Sequence, residues 1–282
     1  MKNKSMYFSF LVVIAGAVAA CFIRFSQLIK YTDIKTGLVT ENRMLTYSLF
    51  ICILFCVLIC AFYSYKAKEL DRQINFIGNK SIYVSLLCLC GTYFFDFVHQ
   101  CYNCYQYILQ SKEQNYTEYN YLISLILVCV FAIFSCYYFG VCAKSVRGTF
   151  VDFTKFRFFH LTPFLWGFFK MLMIITDVFD IESVESFLEF LFVMFYCGFA
   201  LCCASAVEDK KHKIKPAYGF FALSLFLVSI SISAPRLLMV IAGKYSMLSV
   251  ASFSSITYLA IGVFALSFEL AVYIKNDDKQ IG

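Results

Sequence analysis

Charge is scarce in this chain. Only 15% of its 282 residues are Asp, Glu, Lys or Arg, against about 25% in a soluble globular protein. With 61% hydrophobic side chains and a mean hydropathy of +0.74, that shortage excludes a water-soluble fold. Histidine is nearly absent as well. The three present, His99, His160 and His212, fall on one side and then twice on the other side of the topology derived below, so they cannot converge on a metal ion. The sequence has no Walker loop, HExxH or GxSxG motif, and no Ser–His–acid set at a common depth. No catalytic residue, metal site or cofactor is expected, and an enzyme is the less favoured class. Polar stretches are also short, none exceeding about 20 residues, which leaves no room for a separate soluble domain. The net charge of +6 resides in short loops beside apolar runs, so it marks a membrane rather than a nucleic-acid partner.

What is present is a series of apolar segments approaching 20 residues, too long for barrel strands, which need about 10. Lipid offers no partners to bare backbone, so each must be a helix. Eight spans are expected: Met6–Ile23, Met44–Tyr63, Ser81–Cys101, Tyr119–Ala143, Phe158–Val178, Phe187–Val207, Ala217–Ala234 and Val250–Ile274. The fold class is an all-α bundle of eight transmembrane helices, four hairpins in one domain over residues 1–282. Pro235-Arg236 either stops the seventh helix or kinks one that runs on toward Gly243. Thr162-Pro163 has the form of a cap followed by proline at the first helical position, which would start the fifth helix late. The basic, Phe-rich linker Lys144–His160 reads either as an interfacial stretch or as a plain loop.

Basic residues orient the spans. Sixteen Lys and Arg fall at the termini and in the segments around residues 66–80, 144–157 and 210–215, whereas seven fall on the other side, with Lys170 inside a span. By the positive-inside rule both termini are expected in the cytoplasm, and the plasma membrane is the expected location. The beginning of the chain also carries a second pattern. Val18-Ala19-Ala20-Cys21 after two lysines and an apolar run resembles a lipidation signal, which on cleavage would leave seven spans.

Ionisable residues inside spans are costly and mark sites. At 1.5 Å per residue, Arg24 lies about 27 Å up the first span, Asp96 about 22 Å up the third, Lys170 about 18 Å up the fifth and Arg236 about 28 Å up the seventh. His99 shares a face with Asp96, Asp177 shares one with Lys170, and Glu189 enters the sixth span from outside. Glu269 alone occupies the inner half, where snorkelling or a basic neighbour would satisfy it. Two arrangements are open. One is an outward polar pocket lined by Arg24, Asp96, His99, Lys170, Asp177, Glu189 and Arg236, its basic bias suited to a small anionic solute. In the other, Lys170 pairs with Asp96 or Glu189 to lock helices, while Arg24 and Arg236 reach headgroups. Arg24, Lys170 and Arg236 each precede a similar apolar string, as parallel repeats would.

Of the fourteen cysteines, only Cys101-Tyr-Asn-Cys104 has redox spacing, and it is expected at the outer end of the third span. The functional expectation is a small-solute transporter or ligand-binding membrane protein. The alternatives are a structural subunit held to a membrane-protein partner and a thiol enzyme at Cys101 and Cys104.

Overall fold

The computed structural model describes residues 2–31, 43–66, 78–114, 118–148, 158–176, 184–208, 217–243 and 254–277. Among them are eight α-helices and no strand: α1 (Lys2–Tyr31), α2 (Arg43–Lys66), α3 (Lys80–Gln114), α4 (Tyr119–Val146), α5 (Thr162–Thr176), α6 (Val184–Glu208), α7 (Ala217–Ile241) and α8 (Ser254–Asp277). Every one contains, or with its flanking turn completes, a segment long and apolar enough to cross a bilayer. This is a multi-pass membrane protein.

Local chemistry sets the helix ends. Asn79 caps α3, its Oδ1 accepting the backbone N–H of Ser81 and of Ile82 at 3.1 and 3.3 Å. Just before it, Gly78 takes φ +82° and donates its N–H to the Val146 carbonyl at the end of α4. A side chain would be strained at that φ, so glycine lets the chain just before α3 meet the end of α4. The fifth helix does begin late. A 3₁₀ turn covers residues 158–161, Thr162 Oγ1 donates back to the Phe159 carbonyl at 2.9 Å, and Pro163 sits in the first α-turn. Helix α3 is much longer than expected. Its 35 residues rise about 52 Å, against a hydrocarbon core of about 30 Å, so one end projects beyond the membrane. The projecting end leans on α4 through Tyr107, whose hydroxyl accepts the Glu118 N–H and whose ring lies 5.0 Å from Tyr121.

Helix α7 does not stop at Pro235 but continues to Ile241. Proline removes the donor that would meet the Ser231 carbonyl, a loss that packed neighbours make tolerable. Those neighbours are α1, α2, α6 and α8, which makes α7 the hub of the bundle. Small side chains let it be shared, with Ser224, Ser229, Ser231 and Ser233 all fully buried on it. Gly262 of α8 lies directly against Ser229, leaving no room there for a Cβ.

The contacts define a closed ring. Helix α3 packs on α4, α4 on α5, α5 on α6, α6 on α7, α7 on α8, and α8 returns to α3. Helices α1 and α2 form a pair attached to the outside of this ring at α7. Aromatic side chains fill its interior. Tyr93 stacks on Phe139 (5.4 Å) and meets Trp166 edge-on (5.1 Å), Trp166 meets Tyr196 (5.2 Å), and Phe192 contacts Tyr258 (4.4 Å). Farther along, Phe199, Tyr218, Phe264 and Phe268 continue the column. The opposite face of the helices is apolar and bare, as a lipid-facing surface must be. On α1 it presents Leu11, Val18 and Phe22, and on α2 Ile51, Phe55 and Leu58.

Candidate functional site

Polar side chains gather at one end of the bundle, the end reached by the C-terminal parts of α1, α5 and α7 and the beginnings of α2, α6 and α8. Two groups occupy it. In the first, Glu185, in the opening turn of α6, bridges two arginines. Its Oε1 receives Arg24 Nη2 at 2.9 Å and its Oε2 faces Arg236 Nη2 at 3.4 Å. One turn later Glu189 approaches Arg236 at 3.5 Å. Hydrogen bonds extend the cluster from Arg24 to Gln27 (3.0 Å), from Gln27 to Thr46 (3.2 Å) and from Arg236 to Ser255 (2.8 Å). Helices α1, α2, α6, α7 and α8 are thus tied together at one level. A carboxylate at the first turn of α6 also meets the positive end of that helix dipole.

The second group lies inside the ring. Asp96 of α3 accepts Trp166 Nε1 at 3.0 Å and Gln100 Nε2 at 3.3 Å. Asn103 extends the line, donating to Gln100 at 3.3 Å and lying 3.5 Å from His99 Nδ1. The Tyr93 and Tyr196 hydroxyls share a short hydrogen bond beneath it. One turn beyond Trp166 on α5 comes Lys170, 4% exposed. Its ammonium forms no hydrogen bond or ion pair among the described residues, and neither does the Asp96 carboxylate pair with a cation there. His99 is within electrostatic reach of both. The Tyr258 hydroxyl is buried near Asp96, Glu189 and Arg236, with Ser254 as its side-chain neighbour.

The seven residues anticipated for a pocket therefore divide. Arg24 and Arg236 meet through Glu185, with Glu189 on Arg236, and Asp96, His99 and Lys170 form the separate inner group; Asp177 lies outside the described residues. The structure corrects the expected helix-locking pair, because Lys170 joins neither Asp96 nor Glu189. Trp166 and Gln100 occupy the Asp96 oxygens, and Arg236 draws Glu189 away. It also corrects the expectation that both arginines reach headgroups, since Arg24 and Arg236 are 3% and 5% exposed. Of the three basic positions in the suspected repeat, Arg24 and Arg236 share a partner among the described residues. Glu269 does not snorkel; it is buried against Gly219 of α7.

Sequence reasoning missed Glu185, because the sixth span was begun at Phe187. Its signal is the i, i+4 spacing to Glu189, which puts two carboxylates on one face. Gln27 is similarly placed, three residues after Arg24.

The Cys101–Cys104 pair falls within α3, which runs on to Gln114 rather than ending there. Both thiols are free, and both neighbour Cys129 of α4. No cluster of His, Cys, Asp or Glu suited to a metal ion occurs among the described residues. Replacing Cys101 and Cys104 together by serine is expected to leave expression and helical content nearly unchanged. A thiol-oxidising activity that disappears in this double variant would reverse that expectation.

No protein-family model, curated protein or solved structure matches the chain. The class the fold defines is an eight-helix, multi-pass membrane protein with a buried polar layer toward one end of the bundle.

Proposed function

We propose that this chain is a small-solute transporter or ligand-binding membrane protein that takes an anionic group at Lys170. The observation carrying this reading is a lysine buried to 4% exposure with no counter-charge within ion-pair distance among the described residues. An ammonium in such surroundings is costly by several kcal/mol, and a protein retains one there for a purpose. A bound anion supplies the missing charge. The basic-residue asymmetry supports an outward polar end and cytoplasmic termini, and the plasma membrane is the location proposed. A second reading draws on the Arg24–Glu185–Arg236–Glu189 cluster, whose charges are mutually satisfied as in a structural or accessory subunit.

Thermal unfolding of the purified protein in detergent tests the first reading. Acetate, phosphate and sulfate are to be titrated separately, with uptake into liposomes for any that binds. At least one anion is expected to raise the unfolding temperature of the parent protein and not that of Lys170→Met, with Lys170→Arg intermediate. If no anion separates the parent from Lys170→Met, the structural reading replaces this one.

A further inference from the structure

The inner group holds two charges of opposite sign that do not meet. Asp96 and Lys170 are 3% and 4% exposed, and neither forms an ion pair among the described residues. Their spacing follows from α5. Trp166 binds the Asp96 carboxylate, and Lys170 stands four residues, or one turn, farther along the same face of the helix. Asp96 is fixed by two neutral donors, which hold the carboxylate in place without supplying a counter-charge. His99 bridges the same interval electrostatically.

From this juxtaposition we infer that the ligand is a small zwitterion, its carboxylate or phosphate on Lys170 and its ammonium on Asp96. The inference rests on the anion-binding reading of Lys170 and adds the second charge. A ligand carrying only an anion would satisfy Lys170 and leave Asp96 unmatched. One carrying both charges, separated by the few bonds of an amino acid, completes both in a single step and brings no net charge into the membrane. Charge-assisted hydrogen bonds at both ends would also orient it within the inner group. The same chemistry occurs in free amino acids and in the ethanolamine phosphate of a lipid headgroup.

The test compares closely matched probes on the purified, delipidated full chain, reading the concentration that half-saturates the rise in unfolding temperature. The probes are L-leucine, its deaminated acid 4-methylpentanoate, its decarboxylated amine 3-methylbutylamine, and glycerophosphoethanolamine, whose phosphodiester carries a single negative charge. L-leucine or glycerophosphoethanolamine is expected to act at a concentration about ten- to a hundredfold below the acid, with no stabilisation by the amine. Whichever of the two prevails identifies the source. Lys170→Met should abolish the response to both zwitterions and the acid. Asp96→Asn should bring the better zwitterion down to the level of the acid. The wild-type comparison stands even if the Asp96 variant fails to fold. Should acid and zwitterions act equally, the inference fails while anion binding at Lys170 survives; should none of the four probes act, the inference also fails. The acetate, phosphate and sulfate titrations then judge the anion reading independently.

Discussion

Glu185→Ala is expected to be among the most damaging single substitutions outside the aromatic core. The carboxylate is shared by Arg24 and Arg236, whose side chains are 4% and 6% exposed, so its removal withdraws the nearest counter-charge from two buried guanidinium groups. Breaking a fully buried pair costs about 3–5 kcal/mol. Here Glu185 is itself 35% exposed, and Glu189 remains beside Arg236, so about 2–4 kcal/mol is the appropriate figure. Both arginines lose charge compensation, Arg24 keeping its hydrogen bond to Gln27 and Arg236 keeping Glu189 and Ser255. Reversible unfolding in mixed detergent should show the destabilisation. Combining Glu185→Ala with Arg24→Met should recover part of it, because an apolar pair replaces a charge deprived of its mate. A loss below about 0.5 kcal/mol in the single variant would mean that the cluster is solvated and contributes little.

Lys170→Met should do the opposite in the ligand-free protein. Methionine fills a similar volume and removes an ammonium that no described residue pairs with, so stability should rise by about 1–3 kcal/mol. The sign is decisive. A lysine locked to Asp96 or Glu189 would give a loss of about 3–5 kcal/mol on truncation, and removal of its partner would relieve that loss. Under saturating ligand the order should invert, since binding stabilises only the protein that can bind. Urea or detergent titrations of both proteins, with and without the best probe, measure all four quantities.

The architecture was legible in the sequence because bilayer physics leaves few choices. Apolar length and the lipid's lack of hydrogen-bond partners required helices, and each of the eight helices among the described residues overlaps one expected span. Boundaries went wrong where a helix leaves the membrane. The expected third span ended at Cys101 when its hydropathy fell, but α3 continues because α4 runs alongside and takes up Tyr107. The seventh was uncertain at Pro235 because the compensating neighbours of α7 are tertiary. Depth counting correctly brought Arg24, Glu189 and Arg236 to a common level, since rise per residue is nearly constant. Pairing was not legible. Which carboxylate meets which base depends on helix rotation and adjacency, and the critical residue, Glu185, looked like loop. Trp166 as the partner of Asp96 was equally hidden, because a lone indole in an apolar run reads as packing.

The α3–α8 contact that shuts the ring also sets a timetable. Helix α3 emerges from synthesis long before α8, with 139 residues between Gln114 and Ser254. At about 5–20 residues per second, that interval is on the order of ten seconds. Throughout it, the flank of α3 that will meet α8 lacks its neighbour, and the compartment holding Asp96 and Lys170 stays open on that side. Until the last helix arrives, lipid or the insertion machinery must tolerate the exposed carboxylate and ammonium. A chain arrested before Ser254 would hold every ring helix but one and still be unable to enclose the site.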